Sequence, residues 1–414
     1  MSLIHNRNYL YLRSAWSISS FGTKVQSFAF SLYVLSITGS AMQFSVTLCM
    51  QILPYILFAP FSGFLADRFN RKMQIILYDC LSAVVVLALL LTYQVSGRLT
   101  LPLIYSCVFI LSSIETFFSS AAVCLIQAAV DPSDYVQQKS IDTTITSLIS
   151  IFVPASAGVL YNFFGLTVVL IINMVSFLAS AVLESMLSLP SYCPASSSPA
   201  SAGSFFASIK CGFQYIRKSP FILSFIFILS ALNFILPGVD IGLMTVSQDL
   251  MHLSSAMIGI ENSVISVGTL ASAVSCTFLN KKLKNVKLSF IISADILTTC
   301  IAFLLMGVWL KAFYGFFSTT ANVLLFMLLN LIIVVANGFL SINLSAQFQS
   351  NVPNELMGRI GSFVNAALLV STPLGEVVSG LMLSKFSYSS AYFAGGAFCT
   401  LLFVYCITNG KKVL

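Results

Sequence analysis

Charge is what this chain has least of. Only 8% of its 414 residues are Asp, Glu, Lys or Arg, against 58% that are hydrophobic, and a soluble globular domain carries about 25% charged residues. A soluble domain is therefore excluded. Histidine is nearly missing: His5 and His252 are the two, both outside the apolar runs, which argues against an imidazole-based metal or acid–base site within a membrane. Close cysteine pairs of the C-x-x-C kind are absent. The ten cysteines are scattered, mostly inside apolar runs, and point to neither a disulfide framework nor a metal site. There is no G-x-x-x-x-G-K-[ST] segment either, so this chain alone does not encode an ATP-driven pump. No cofactor is called for. The first apolar run is too long for a cleavable signal peptide and lacks a small-residue cleavage site, so it is expected to stay as a helix.

What the chain has is long apolar runs. They can be placed at 10–37, 41–66, 73–95, 101–128, 141–163 and 166–189, then 221–246, 256–279, 288–310, 321–349, 356–384 and 391–408, nearly all long enough to cross a bilayer. The expected fold is an all-α membrane protein of twelve transmembrane helices in two six-helix, pseudo-symmetric bundles. Residues 1–189 make the N-terminal bundle, 190–220 a linker and 221–414 the C-terminal bundle. The linker opens with a low-complexity stretch rich in Ser and Pro. Its second part spaces Phe205, Phe206, Ile209, Phe213 and Ile216 against Lys210, Arg217 and Lys218, which reads as an amphipathic helix on the membrane surface.

Basic residues set the orientation. With the N-terminus inside, only Arg98, Lys311 and Lys385 fall outside, against sixteen Lys and Arg inside, so both termini and the linker are expected in the cytoplasm of a multi-pass cell-membrane protein. The net charge of +7 follows from that topology. A nucleic-acid partner is not indicated, because the basic residues are spread over many loops.

The densest charge in the N-terminal half is Gly63-Phe64-Leu65-Ala66-Asp67-Arg68-Phe69-Asn70-Arg71-Lys72. Four charges lie close together there, each costing about 2.5–3.5 kcal/mol at the hydrocarbon centre. The segment must then be a turn where a helical hairpin leaves the bilayer. Gly63 and Ala66 let the two helices approach closely. The order of residues resembles the G-x-L-A-D-R-x-G-R-K signature between helices 2 and 3 of the major facilitator superfamily, with Asn70 where that family usually has Gly. The resemblance extends to the six-plus-six pattern, the Pro154 and Gly158 element of the fifth run and the Gln347–Arg359 stretch. It is strongest to the bacterial drug and siderophore exporter branch, which includes macrolide efflux proteins and the enterobactin exporter. It implies that Asp67 and Arg71, with Gly63, Arg68 and Lys72, form a gating motif, that Asp131 is its further partner, and that transport proceeds by alternating access.

The halves echo each other at an offset near 220 residues. Val130-Asp131-Pro132 answers Val352-Pro353-Asn354, Pro154 with Gly158 answers Pro373 with Gly375, and Asp79 answers Asp295, as a duplication of six helices would leave behind.

Ionisable residues within apolar runs are the candidate pathway, since a charge in hydrocarbon must be paired, neutral or in contact with water. Lys24 in the first run and Glu115 in the fourth both fall near the midplane and are expected to face one another. Glu115 stands where many proton antiporters of the superfamily carry Arg. Asp240, Glu261 and Glu376 lie in the outer halves of their runs. Asp79 and Asp295 sit nearer the cytoplasmic ends, where a structural role is expected. Asn337, with Asn330, Asn343 and Gln347, marks the tenth run as polar on one side, and Pro237-Gly238 should kink the seventh. Some of the 36 phenylalanines are expected to line a cavity suited to bulky amphipathic molecules. The function expected is a monomeric secondary transporter, no enzyme, exporting a small amphipathic molecule such as a drug or siderophore with protons as the coupling ion. The alternatives are an importer of a small metabolite on the same fold, or a membrane protein that does not transport.

Overall fold

The structure is a computed structural model that describes residues 6–130, 134–188, 219–282, 288–351 and 354–413. Asp131 and most of the 190–220 linker, with its expected surface helix, lie outside the described residues. Among those described there are helices and short connections, and no strand. We number the helices α1 (Arg7–Thr38), α2 (Ala41–Arg68), α3 (Arg71–Ser96), α4 (Leu101–Ala129), α5 (Tyr135–Ser185), α6 (Pro220–Ile235), α7 (Pro237–Thr245), α8 (Ser255–Lys282), α9 (Leu288–Val308), α10 (Thr319–Asn351), α11 (Asn354–Lys385) and α12 (Tyr388–Val413). A wider π turn, Val246–Leu250, follows α7, and another, Trp309–Phe313, follows α9. The helices form because each run satisfies its own backbone hydrogen bonds, the requirement for any segment placed in lipid.

The twelve expected spans are seen in part. Nine helices among the described residues are long and apolar enough to cross a membrane. The shortfall has three places. Two are α1, diluted by Lys24, Gln26 and serines, and α8, part of whose apolar stretch lies outside the residues described in full. The third is α5, in which the fifth and sixth expected spans are two helices that meet at a kink and count as one stretch. Its apolar stretch is 45 residues, which at about 1.5 Å each is about 68 Å, more than twice the roughly 30 Å hydrocarbon core. It reverses at Gly165, whose backbone takes φ 70°, ψ −174°, a region that a side chain makes costly. The reversal is visible in the packing: Ile145 and Ile149 from the first half of α5 share one apolar groove on α1 with Val175 and Ala179 from the second. The seventh span is broken at Pro237, as expected from Pro237-Gly238, because proline removes a backbone donor and crowds the preceding turn.

The charged segment is also more helical than expected. Gly63 to Arg68 complete α2, and Arg71 and Lys72 open α3, leaving Phe69 and Asn70 between them. Asn70 is not in a left-handed turn. Its backbone is extended (φ −60°, ψ 108°) and its side chain accepts the Met73 amide at 3.2 Å, so it stands in this position as an N-cap. Lys72 donates to the carbonyls of Ser185 and Leu187, both at 2.8 Å, a cation on the open C-terminal end of α5.

The chain divides into two compact units. Unit 1 is Met1–Gly39, Val46–Ser198 and Ser254–Ser263; unit 2 is Ser40–Ser45, Pro199–Leu253 and Val264–Leu414. The core of unit 1 includes Phe30, Val86, Ile104, Val169 and Leu170. Unit 2 has one cluster around Ile222, Phe225, Ile292 and Leu340 and another around Phe326, Trp309 and Met306. Lipid tails are as apolar as these side chains, so close packing and internal hydrogen bonds hold the helices together rather than exclusion of water. Small residues allow that closeness. A Cβ added at Gly158 would collide with the Ser255 carbonyl and come within 3.0 Å of Gly259 Cα, both in unit 1. One added at Gly375 would collide with the Phe234 carbonyl in unit 2.

Candidate functional site

Unit 1 contains a polar interior assembled from helical periodicity. Trp16, Ser19, Ser20 and Thr23 recur on one face of α1, Leu111, Ile114, Glu115, Phe118 and Ser119 on one face of α4, and Asp79 and Ser82 come from α3. Together with Phe177 of α5 they line a cavity of about 40 Å³, room for about two or three waters. Hydroxyls and carboxylates dominate its polar surface.

Glu115, which lines this cavity, and Lys24 of α1 are both exposed. Lys24 is the charge that acts on Glu115, yet they form no ion pair: the one within 4.0 Å described in these helices is Arg13–Asp142. Of the two arrangements open to them, direct contact or facing one another across water, a close ion pair is not seen among the described residues. Exposure removes the need for it, since an ion that reaches open volume is not forced to pair. Deeper in, Asp79 is 3% and Glu184 of α5 is 1% exposed. The Asp79 charge acts on Glu184, and one oxygen of each is buried without a hydrogen-bond partner. Asp79 therefore does not snorkel to a surface.

The remaining expected pathway residues are distributed. Glu261 is buried on the part of α8 that belongs to unit 1. There the Ser263 hydroxyl accepts the Ala155 amide at 2.9 Å, one residue past Pro154. In unit 2, Asp240 is exposed in the first turn of α7 and Glu376 is buried on α11, which carries Pro373 within the helix. Asn337 of α10 donates to Thr299 Oγ1 at 3.1 Å and to the Ile333 carbonyl at 2.9 Å, which ties α10 to α9. Unit 2 also holds an aromatic cavity of about 150 Å³ lined by Phe234, Phe303, Tyr392 and Phe398, smaller than the roughly 300 Å³ at the low end for a drug-sized ligand.

A family model described as the Major Facilitator Superfamily matches residues 15–375. The chain belongs to this superfamily. A transporter of unassigned substrate, YfiS of Bacillus subtilis (strain 168), is 24% identical over 99% of this chain and 94% of its own length. Macrolide efflux protein A of Streptococcus pyogenes is 21% identical over 94% of this chain and 93% of its own. Among solved structures, a bacterial homologue of the iron transporter ferroportin in an inward-facing state superimposes with a TM-score of 0.71 at 18% identity, covering 99% of both chains. A POT peptide transporter in complex with alafosfalin gives a TM-score of 0.73 at 11% identity, covering 100% of this chain and 96% of that one. These likenesses establish the fold of a multi-pass transporter.

Three features of this superfamily member escaped the sequence. Arg13 pairs with Asp142 across 3.1 Å, donates to the Asp142 carbonyl at 3.1 Å and lies 4.1 Å from the Trp16 ring centroid. Asn173 donates to Gln26 at 2.7 Å, both buried. Glu184 was hidden in the sixth apolar run. A signal was available for the last two: Asn173, Ser176, Ser180 and Glu184 recur at helical spacing, a polar stripe on an otherwise apolar helix.

Proposed function

We propose that this protein is a secondary active exporter of the plasma membrane that moves a small amphipathic molecule outward by alternating access in antiport with protons. The observation that carries the reading is the match to macrolide efflux protein A along nearly all of both chains. It is supported by titratable groups placed where a substrate or proton could reach them, Glu115 with Lys24 in unit 1 and Asp240 in unit 2. In this reading residues 1–189 and 221–414 are the two moving bundles, joined through a cytoplasmic 190–220, with both termini cytoplasmic. The Asp67, Arg68, Arg71 and Lys72 segment, with Asp131, changes partners between the two states, and a gate needs such differential contacts. The Pro154, Gly158, Pro373 and Gly375 positions serve as packing points and kinks that let helices tilt.

The test is transport in proteoliposomes over a panel of macrolides, other drugs, siderophores and sugars, with an imposed pH gradient. Substrate movement opposite to the proton gradient, abolished by a protonophore, is the expected result. Movement together with protons would make the protein an importer, and movement indifferent to the pH gradient would end the proton-coupled reading.

A further inference from the structure

The deepest titratable groups of unit 1 are not those that face open volume. Asp79 on α3 and Glu184 on α5 are 3% and 1% exposed, each with a buried oxygen that no donor reaches. They lie close enough for one charge to act on the other. Ser180, wholly buried and one turn before Glu184 on the same face, turns its hydroxyl toward Asp79 without completing a hydrogen bond. The neighbouring charges are engaged elsewhere. Lys72 spends its ammonium on the Ser185 and Leu187 carbonyls, Arg13 is held by Asp142, and Glu115, across the cavity on α4, is itself acidic. Two ionised carboxylates in such surroundings repel, with no cation paired to them among the described residues, and one proton removes most of that cost. The corresponding position of the second half, Asp295, has the Cys399 thiol for a neighbour in place of a second carboxyl.

We propose that Asp79 and Glu184 form a proton-binding site that holds one proton between the two carboxyl groups and exchanges it with water in the cavity lined by Ser19, Ser20, Ser82 and Ser119. Uptake takes a proton from that water and changes the pair from two negative charges to one; release returns it. The site accounts for a buried acidic pair that a purely structural role leaves unexplained. Its use as the coupling proton rests on the antiport reading above, but its existence does not.

Infrared titration of the full-length protein in lipid nanodiscs tests this without any substrate. The carbonyl stretch of a protonated carboxyl is followed against pH for the wild type, Asp79→Asn, Glu184→Gln, the double variant, and Asp295→Asn as a control. The wild type is expected to keep a protonated carboxyl at neutral pH, with its midpoint lowered by about one pH unit or more in each single variant as the like charge is removed. The double variant should lose the part of the band contributed by these two residues, read as the difference from the wild type, and Asp295→Asn should leave the midpoint of that part in place. The amide variants preserve shape, and the double variant carries no buried charge at the site, so it folds even if a single one does not. An unchanged midpoint in both single variants, or a wild-type-minus-double-variant difference spectrum without a carboxyl band, overturns the proposal. So does a band displaced when sodium replaces choline at constant ionic strength, which would make the site a cation site. If the band behaves as expected while transport ignores pH gradients, the antiport reading fails and the proton site stands.

Discussion

Replacing Arg13 by Met removes the cation from an ion pair whose side chains are 7% and 17% exposed. At 3.1 Å the gross attraction is about 5 kcal/mol for an effective dielectric of about 20, and desolvation of both ions offsets much of it. The loss on truncation is not that net value. It is the cost of leaving the Asp142 carboxylate nearly buried and without its guanidinium, about 3–5 kcal/mol, with about 1–2 kcal/mol more from the lost contact over the Trp16 ring. Met retains the aliphatic volume, so a cavity adds little. Polytopic membrane proteins commonly unfold irreversibly, so the observable is a half-life at fixed temperature in detergent. Arg13→Met is expected to shorten it at least about tenfold, since each 1.4 kcal/mol reaching the barrier is a factor of ten. Arg13→Met combined with Asp142→Leu removes both charges and should return the half-life to near that of the wild type. A single variant within about twofold of wild type, or a double variant as short-lived as the single, would show that the energy resides in something other than the buried pair.

Asn173→Ala leaves the Gln26 side chain buried without its donor and should lower stability by about 1–3 kcal/mol, with Gln26→Met added to Asn173→Leu recovering much of it; both are read as half-lives in the same detergent. Gly158→Ala forces a methyl group against backbone at Ser255 and Gly259, a strain of about 1–3 kcal/mol, measurable as faster inactivation. Lys24→Met alone should change stability by less than about 1 kcal/mol, because the exposed lysine forms no close pair, whereas adding Glu115→Gln should leave a folded protein that no longer transports in proteoliposomes. Transport returning in that double variant would remove Glu115 from the mechanism.

Apolar run length located the helices and their order, since a bilayer demands long apolar segments and the chain has little else. It also placed the reversal, since the fifth and sixth runs were separated between 163 and 166 and the chain turns at Gly165, although Phe163-Phe164-Gly165-Leu166 carries no charge. The candidate site was legible only in part. Helical spacing put Lys24 and Glu115 at one depth and had them face one another, but could not give their exposure, and the structure exposes both. Arg13 was counted only as a topological charge, and Asp142 fell at the start of the fifth run. Their pairing depends on a separation of 129 residues in sequence that no periodicity encodes. Asp79 was read as a helix-end residue because depth was counted along one helix, whereas its burial comes from α5 packing beside it.

The reversal at Gly165 also bears on how the chain enters a membrane. The 45-residue apolar stretch around it offers the insertion machinery no charged or strongly polar loop at which to stop. Phe163 and Phe164, 70% and 61% exposed beside the bend, favour lipid or its interface over water. The two arms must therefore partition as a hairpin, the second helix entering together with the first rather than after it. A charge placed at the bend would be felt during biogenesis, before any transport cycle exists to be impaired.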